Sequence, residues 1–324
     1  MKRNYSKPTS ILLITAIYLL AGIAAWLLFV KLTDIGTGAI WALFAADILA
    51  TIVVWAFGLL YENVSVYDPY WSVFPPVVFL LWAFYTGNWS LPVILLLIAS
   101  WYWGWRLTRN WVITFKGIAH EDWRYTKYRS LHPALFHLIN FFGLNMVPTL
   151  VVFAAMLPGL QLYQPSLSAS GLSAEGGLSS LSASGLSAEG GLSSLSASGL
   201  SAEGGLSSLS VAVLLIGCLI CLASATIQLI ADKQSHDFRA ANPGQVCNVG
   251  LWKRGRHPNY FGEIQFWWGI WIMYAAIYGF DWFILGPIAM TALFLGISIP
   301  LMEKRQLANK PAYADYRKQT RLLI

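Results

Sequence analysis

Eight stretches of this chain are apolar for long enough to read as membrane spans: residues 9–31, 39–60, 71–87, 91–106, 134–160, 211–231, 260–279 and 282–302. Each lies near the ~20 residues an α-helix needs to cross ~30 Å of hydrocarbon. The pattern predicts an all-α, polytopic transmembrane helical bundle of about eight spans. Two segments are less regular, since 71–87 carries Pro75-Pro76 and 91–106 is short, so these could tilt or re-enter. Trp71, Tyr85, Trp89, Trp101, Tyr102, Trp103 and Trp105 near their ends fit an interfacial aromatic belt.

Charge fixes the expected orientation. If the spans alternate from a cytoplasmic N-terminus, the inner segments are that terminus, 61–70, 107–133, 232–259 and the tail from Glu303, with Arg106 counted in the loop it borders. Twenty of the 21 Lys and Arg residues then lie inside, and only Lys31 lies outside. One helix more or fewer would put the basic clusters of 232–259 and 303–324 on opposite faces, so both ends are expected inside.

Composition agrees with a lipid solvent, because 57% of the 324 residues are hydrophobic and only 11% are charged. The net charge of +6 is accounted for by orientation and calls for no nucleic-acid partner. Lys2, Arg3 and Lys7 precede an apolar stretch too long for a signal peptide, which is expected to remain attached as the first span. Cys218 and Cys221 lie inside an apolar run, and Cys247 sits in a polar loop, so no disulfide framework is expected. The Cys-x-x-Cys spacing reads as packing, since a buried thiol without a neighbouring cation keeps its proton.

Residues 166–207 are three identical copies of a 14-residue Ser-, Gly- and Leu-rich unit, with one Glu per copy (Glu175, Glu189, Glu203) and no aromatic residue. Such a unit buries too little to offset its ordering entropy and reads as a loop; a small solenoid is the alternative. The expected organisation is an N-terminal transmembrane half over 1–133, a fifth span in 134–165, the repeat insert over 166–210 and a C-terminal part over 211–324.

No strand followed by G-x-G-x-x-G occurs, and no phosphate loop ending in Gly-Lys-Ser/Thr. His120, His132, His137, His236 and His257 are scattered at spacings that do not suit metal ligation, so no metal is expected. The densest polar constellation runs from Asp232 through Asp237 and Arg239 to Asn242-Pro-Gly244. It continues as Gly250-Leu-Trp-Lys253-Arg254-Gly-Arg256-His257-Pro258-Asn259-Tyr260-Phe-Gly262-Glu263. Pro258 suits a first helical turn, Asn259 and Glu263 share a helix face, and the cations beside a helix start suit an anionic cofactor. The plainer reading makes Lys253, Arg254 and Arg256 topology anchors. Glu263 is harder to dismiss, because a carboxylate entering a span is costly unless it is paired or functional.

Gly-Leu-Trp, then Arg-His-Pro-Asn-Tyr-Phe-Gly-Glu and Trp267-Trp268-Gly269, resembles the C-terminal domain of the steroid 5-alpha-reductase superfamily, particularly its bacterial branch. The likeness extends to Asp232 and Arg239, to Glu303-Lys304-Arg305 and to Pro311-Ala-Tyr313-Ala-Asp315-Tyr316. Upstream, Asp68-Pro-Tyr-Trp71, Trp-Arg106-Leu, Arg109 and Glu121-Asp-Trp-Arg124-Tyr125 also fit that branch. The resemblance implies NADPH-dependent reduction of a carbon–carbon double bond conjugated to a carbonyl, in a steroid- or lipid-like substrate held among membrane lipid. It implies cofactor contacts at Asn259 and Glu263 and, more loosely, at Asp232 and Arg239, within a segment that includes His257 and Tyr260. A tyrosine that the steroid enzymes carry after their Pro-Gly is replaced here by Asn248.

A reductase site needs cations for the phosphates, for which Arg239, Lys253, Arg254, Arg256, Lys304 and Arg305 are the candidates, with Glu303 beside them. It needs a polar clamp at Asn259 and Glu263, and an acid for the carbonyl. The candidates for the acid are Glu62, Asp68 and Tyr70, with Tyr61 and the mid-span Asp47 as further possibilities. Arg106, Arg109, Glu121, Asp122 and Arg124 read equally as a salt-bridged cap or a second phosphate clamp. Two rival readings stay open. An isoprenylcysteine-type methyltransferase using S-adenosylmethionine shares Arg-His-Pro-x-Tyr-x-Gly, and a non-enzymatic membrane protein such as a transporter would show more mid-span polar groups or inverted-repeat symmetry.

Overall fold

The computed structural model describes residues 5–164 and 206–324, and the regular elements among the described residues are all helices, with no strand. The helices are α1 (Lys7–Asp34), α2 (Ala39–Leu60), α3 (Tyr70–Thr86), α4 (Leu91–Thr114), α5 (Trp123–Leu131), α6 (Phe136–Gln161), α7 (Ser208–Ala241), α8 (Pro258–Tyr278), α9 (Trp282–Asn309) and α10 (Tyr313–Gln319). Six of them, α1, α2, α4, α6, α7 and α9, are long and apolar enough to cross a membrane. The other two expected spans are helices as well. α3 has 17 residues and runs unbroken through Pro75 and Pro76, and α8 has 21 residues with Asn259 and Glu263 in its first turns. The 14-residue repeats lie outside the described residues, apart from the last copy's Leu206 and Ser207.

Polarity is distributed in the reverse of a water-soluble protein. Leu19, Leu27, Phe84 and Leu219 are all more than 60% exposed, whereas Asp47, Thr51, Gln228 and Glu263 are buried. An apolar exterior on this scale is unstable in water and natural in lipid. The chain is an integral, multi-pass membrane protein.

The chain forms two compact units. One comprises the residues up to Val77 together with Trp103–Ala154, and the other comprises Val78–Tyr102 together with the described residues from Ala155 to Ile324. In the first, α2 stops at Tyr61 and the chain turns through Glu62, a non-glycine residue in the left-handed region at φ 52°. Asn63 then locks the turn, its amide donating to the carbonyls of Ile118 at 2.5 Å and His120 at 3.2 Å while its carbonyl accepts from Ser65 N–H. Within α6, residues Ile139–Met146 widen to a π-helix, where the Asn145 amide donates to the Asn140 backbone and side-chain oxygens. Such bulges accompany functional sites often enough to direct attention there.

In the second unit α7 and α8 pack closely along small residues. A Cβ on Gly262 would stand 2.7 Å from the Ser224 carbonyl, and one on Gly269 would stand 2.5 Å from Cys221 Sγ and 2.9 Å from the Gly217 carbonyl. Without a side chain at these positions the backbones approach, which is how helices associate where no hydrophobic effect drives them together. α7 continues ten residues past the expected end of its apolar run, to Ala241, so the polar segment expected as a loop from residue 232 begins instead at Asn242. Likewise α4 carries on to Thr114, and α5 occupies part of the expected 107–133 loop.

Candidate functional site

The C-terminal constellation is built on the end of α7. Gly250, at φ 54°, turns the chain so that Leu251 N–H donates to Gln234 Oε1 at 2.9 Å, and Trp252 Nε1 donates to the Ala231 carbonyl at 2.9 Å. At that φ any other residue would be strained, so the turn itself calls for the glycine of Gly-Leu-Trp. From here the chain runs to Pro258, the first residue of α8.

The tail folds back onto this segment. Arg256 N–H donates to the Arg321 carbonyl at 2.9 Å, and His257 N–H to the Leu322 carbonyl at 3.2 Å. Glu303, buried, receives Arg256 Nε at 2.7 Å, His257 Nε2 at 3.4 Å and Arg317 Nε at 3.3 Å. The other end of the Arg256 guanidinium donates to the carbonyls of Arg317 and Thr320, and the Tyr316 hydroxyl to the Trp252 carbonyl. The segment ahead of α8 and the chain after Glu303 are therefore one assembly, a condition the cofactor reading needs.

That assembly separates the sequence candidates into two groups. Arg256, His257 and Glu303 hold one another, with the Arg256 side chain only 10% exposed. Lys253, Arg254, Lys304, Arg305 and Arg239 are exposed, and Asn259 and Tyr260 are half-buried at the start of α8. The Tyr260 ring stacks on His257 at 5.3 Å. Glu263 is buried, and its Oε1 accepts from Trp267 Nε1 at 3.1 Å, one turn along the helix. Asp232 lies partly buried on α7.

A cation outside the sequence candidates joins them. Lys310 Nζ donates to the Gln245 carbonyl at 2.7 Å, and its ammonium is held below the ordinary lysine range by burial and then by Arg239 and Arg305. Crowded cations of this kind suit a polyanion such as a dinucleotide.

Burial pushes the His257 imidazole below its ordinary pKa, partly countered by Glu303. The unfolded chain takes up that proton more readily than the folded one, so stability falls as pH drops through the ordinary imidazole value of about 6.5. His257→Gln is expected to flatten this acid limb, measured as unfolding temperature against pH in detergent.

In the first unit the Tyr70 hydroxyl donates to Asp47 Oδ1 at 2.7 Å, with both residues buried. The Tyr67 and Tyr70 rings stack at 5.3 Å, and Tyr18 meets Tyr70 edge-on. The Tyr67 hydroxyl bonds Thr149 Oγ1 at 2.7 Å, which bonds Thr51 Oγ1 at 2.9 Å. Asp68 accepts from the Tyr125 hydroxyl and stands 4.0 Å from Arg124, which also grips Asp122 at 2.8 Å. Glu121 takes Arg129 at 2.9 Å and Val64 N–H at 3.0 Å, so these acids and bases form a stitched cap over the α2–α3 turn. Of the three sequence candidates for an acid, Tyr70 is buried against a carboxylate, Asp68 is tied into the cap, and Glu62 is exposed at the helix stop. Thr51, Thr149 and Tyr67 were not singled out by the sequence, where nothing marks such a hydroxyl as facing a partner, and Tyr125 stood only as part of the Glu121–Tyr125 motif.

Among the described residues no group of three or more His, Cys, Asp or Glu could share a metal ion. A family model described as "Protein of unknown function (DUF1295)" matches residues 54–174 and 195–320. No curated protein and no solved structure matches the chain.

Proposed function

We propose that this chain, which belongs to the DUF1295 family, is a membrane-embedded, NADPH-dependent reductase of the steroid 5-alpha-reductase type, acting on a conjugated double bond in a steroid- or lipid-like substrate. The observation that carries the reading is the joining of the Arg256 segment and the tail through Glu303. It gathers cations from α7, the connecting segment and α9 around the start of α8, where the resemblance puts the cofactor. We place this face in the cytoplasm on the charge distribution of the loops, and the protein in the bacterial cytoplasmic membrane on its resemblance to the bacterial branch of the superfamily.

NADPH, when bound, supplies the hydride. The chain's own groups do the rest. Exposed Arg239, Lys253, Arg254, Lys304 and Arg305, with half-buried Lys310, hold phosphate. Asn259 and Glu263 orient the nicotinamide, and Arg256, His257 and Glu303 keep the segment that carries Asn259 in place. Within the first unit, Tyr70, hydrogen-bonded to Asp47, is the group equipped to serve as an acid. With Asp47 protonated, the phenol can give its proton to a carbonyl and take the one on Asp47 in its place, leaving Asp47 as the carboxylate.

The test is binding. Purified protein in detergent is expected to bind NADPH in the micromolar range, more weakly as salt rises. Asn259→Ala or Glu263→Ala should each lower the affinity by about 10- to 100-fold, the value of a lost hydrogen bond to a charged group. Calorimetry or fluorescence titration reads both. Tight binding of S-adenosylmethionine with none of NADPH would replace this reading with the methyltransferase one.

A further inference from the structure

The first unit holds a string of buried hydroxyls of which the proposed chemistry uses one end. Asp47 accepts from Tyr70 at 2.7 Å, and Thr51, four residues after Asp47 and so on the same face of α2, lies near enough to the Tyr70 hydroxyl to act on it. Thr51 bonds Thr149 at 2.9 Å, and Thr149 bonds Tyr67 at 2.7 Å. Three separate elements, α2, the α2–α3 connection with the start of α3, and α6, each contribute to it. Threonines in helices commonly turn their hydroxyls back on the carbonyl three or four residues before, as Thr15, Thr33 and Thr114 do in this same unit. Thr51 and Thr149 turn to each other across helices instead, and α6 carries its π-helix immediately before Thr149.

The string has an outer end. Tyr67 is followed by Asp68, and the carboxylates of Asp47 and Asp68 both act electrostatically on the Tyr67 hydroxyl. The Asp68 side chain is 21% exposed. Burial pushes its carboxyl up to about 6, against the pull of Arg124 and Tyr125, so it gains and loses a proton near neutrality.

We propose that Tyr67, Thr149 and Thr51 are a proton relay that recharges the Tyr70–Asp47 pair from the side of Asp68. The inference rests on the reductase reading for its purpose, since each reduction of an enone consumes one proton along with the hydride. Every link is a hydroxyl, which can accept one proton while giving another. A proton taken by the Tyr67 oxygen sends that residue's own proton to Thr149, Thr149 sends its own to Thr51, and Thr51 sends its own to Tyr70. The Tyr70 O–H bond breaks as the bond from hydrogen to Asp47 Oδ1 forms. One proton moves, no electron does, and rotation of the hydroxyls resets the string. These three are positioning residues acting through Tyr70.

The relay can be timed without a substrate. A light-triggered proton release in detergent-solubilised protein, followed through the infrared carboxyl stretch of Asp47, gives the rate at which a proton arrives. Asp47→Asn identifies the band by its loss. Thr149→Val, which keeps shape and removes the hydroxyl, is expected to slow arrival by about 100-fold or more while leaving the final amplitude unchanged, and Thr149→Ser to restore it. Tyr67→Phe should do the same as Thr149→Val and guards against a folding defect in either. Wild-type rates in both hydroxyl-deleted variants, or an Asp47 that never takes up a proton, would overturn the relay. NADPH binding measured on the same wild-type sample judges the reductase reading separately, since the proton measurement uses no cofactor.

Discussion

Glu303→Ala is expected to cost about 3–5 kcal/mol, the penalty for removing one member of a buried ion pair and leaving its partner charged. The environment makes the loss large. Glu303 receives Arg256, His257 and Arg317 together, and the carboxylate and the Arg256 guanidinium are both within a tenth of full burial. Without the acid, Arg256 keeps its bonds to the carbonyls of Arg317 and Thr320 but has no charge to balance it. Beside these, the tail is then held only by neutral hydrogen bonds such as Arg256 N–H to Arg321, His257 N–H to Leu322 and Tyr316 to Trp252, each worth ~1 kcal/mol net. The expected result is a lower unfolding temperature in detergent and rapid proteolysis beyond residue 310. Loss of NADPH binding should accompany release of the tail, because Lys310 moves with it. Glu303→Gln, which retains an acceptor, should be milder. Equal stability of wild type and Glu303→Ala would mean that the pair contributes nothing.

How far this was legible in the sequence depends on which interaction set each feature. α2 fills the expected 39–60 because one apolar run and one helix coincide there, with Gly38 before it and the Glu62 turn after it. α7 does not stop at residue 231, because hydropathy reports the thickness of the hydrocarbon while a helix ends where its backbone is capped. Asp232 to Ala241 are polar and still helical, and the stop comes at Asn242, followed by Pro243 and Gly244. The Pro75-Pro76 pair was expected to interrupt α3 and does not. They are its sixth and seventh residues, so the Trp71 and Ser72 carbonyls lose their helical N–H partners, and the Ser72 carbonyl faces the bare Cα of Gly104.

The site was legible in its residue types and not in its pairings. Asp47 and Tyr70 stood out as ionisable groups near or within spans, yet only the fold makes them partners. Glu303 and Arg256, 47 residues apart, each looked like a cofactor contact because a motif records which residues matter and not what they touch. Lys310 carries no motif at all, and its proximity to Arg239 depends on the tail folding back. The hydroxyls of Thr51 and Thr149 were invisible for a simpler reason: a span threonine is usually satisfied by its own helix.

The second large effect lies where α7 meets α8. Gly269→Ala adds one methyl group at a point where it would stand 2.5 Å from Cys221 Sγ, 2.9 Å from the Gly217 carbonyl and 3.1 Å from Cys221 N. Two of those three are backbone atoms, which cannot rotate away, so relief requires the helices to separate along their length. Overpacking of this kind costs about 1–3 kcal/mol, and the rigid neighbours put the expected loss at the upper end. Gly217 faces the same seam from the other helix, where a Cβ would meet the Gly269 carbonyl at 2.9 Å and Met273 N at 2.9 Å. The double variant Gly217→Ala/Gly269→Ala should therefore cost less than the two singles added, since one separation relieves both. Gly296 is the internal control. It lies in the widened turn of α9, and a Cβ there meets nothing within 4 Å. Gly296→Ala should leave the unfolding temperature unchanged or raise it slightly, by the ~1 kcal/mol that alanine gains over glycine in a helix. A membrane core held by dispersion and close backbone approach predicts that opposition between two chemically identical substitutions; a core held by apolar burial alone predicts that both are tolerated, because lipid and side chain are equally apolar.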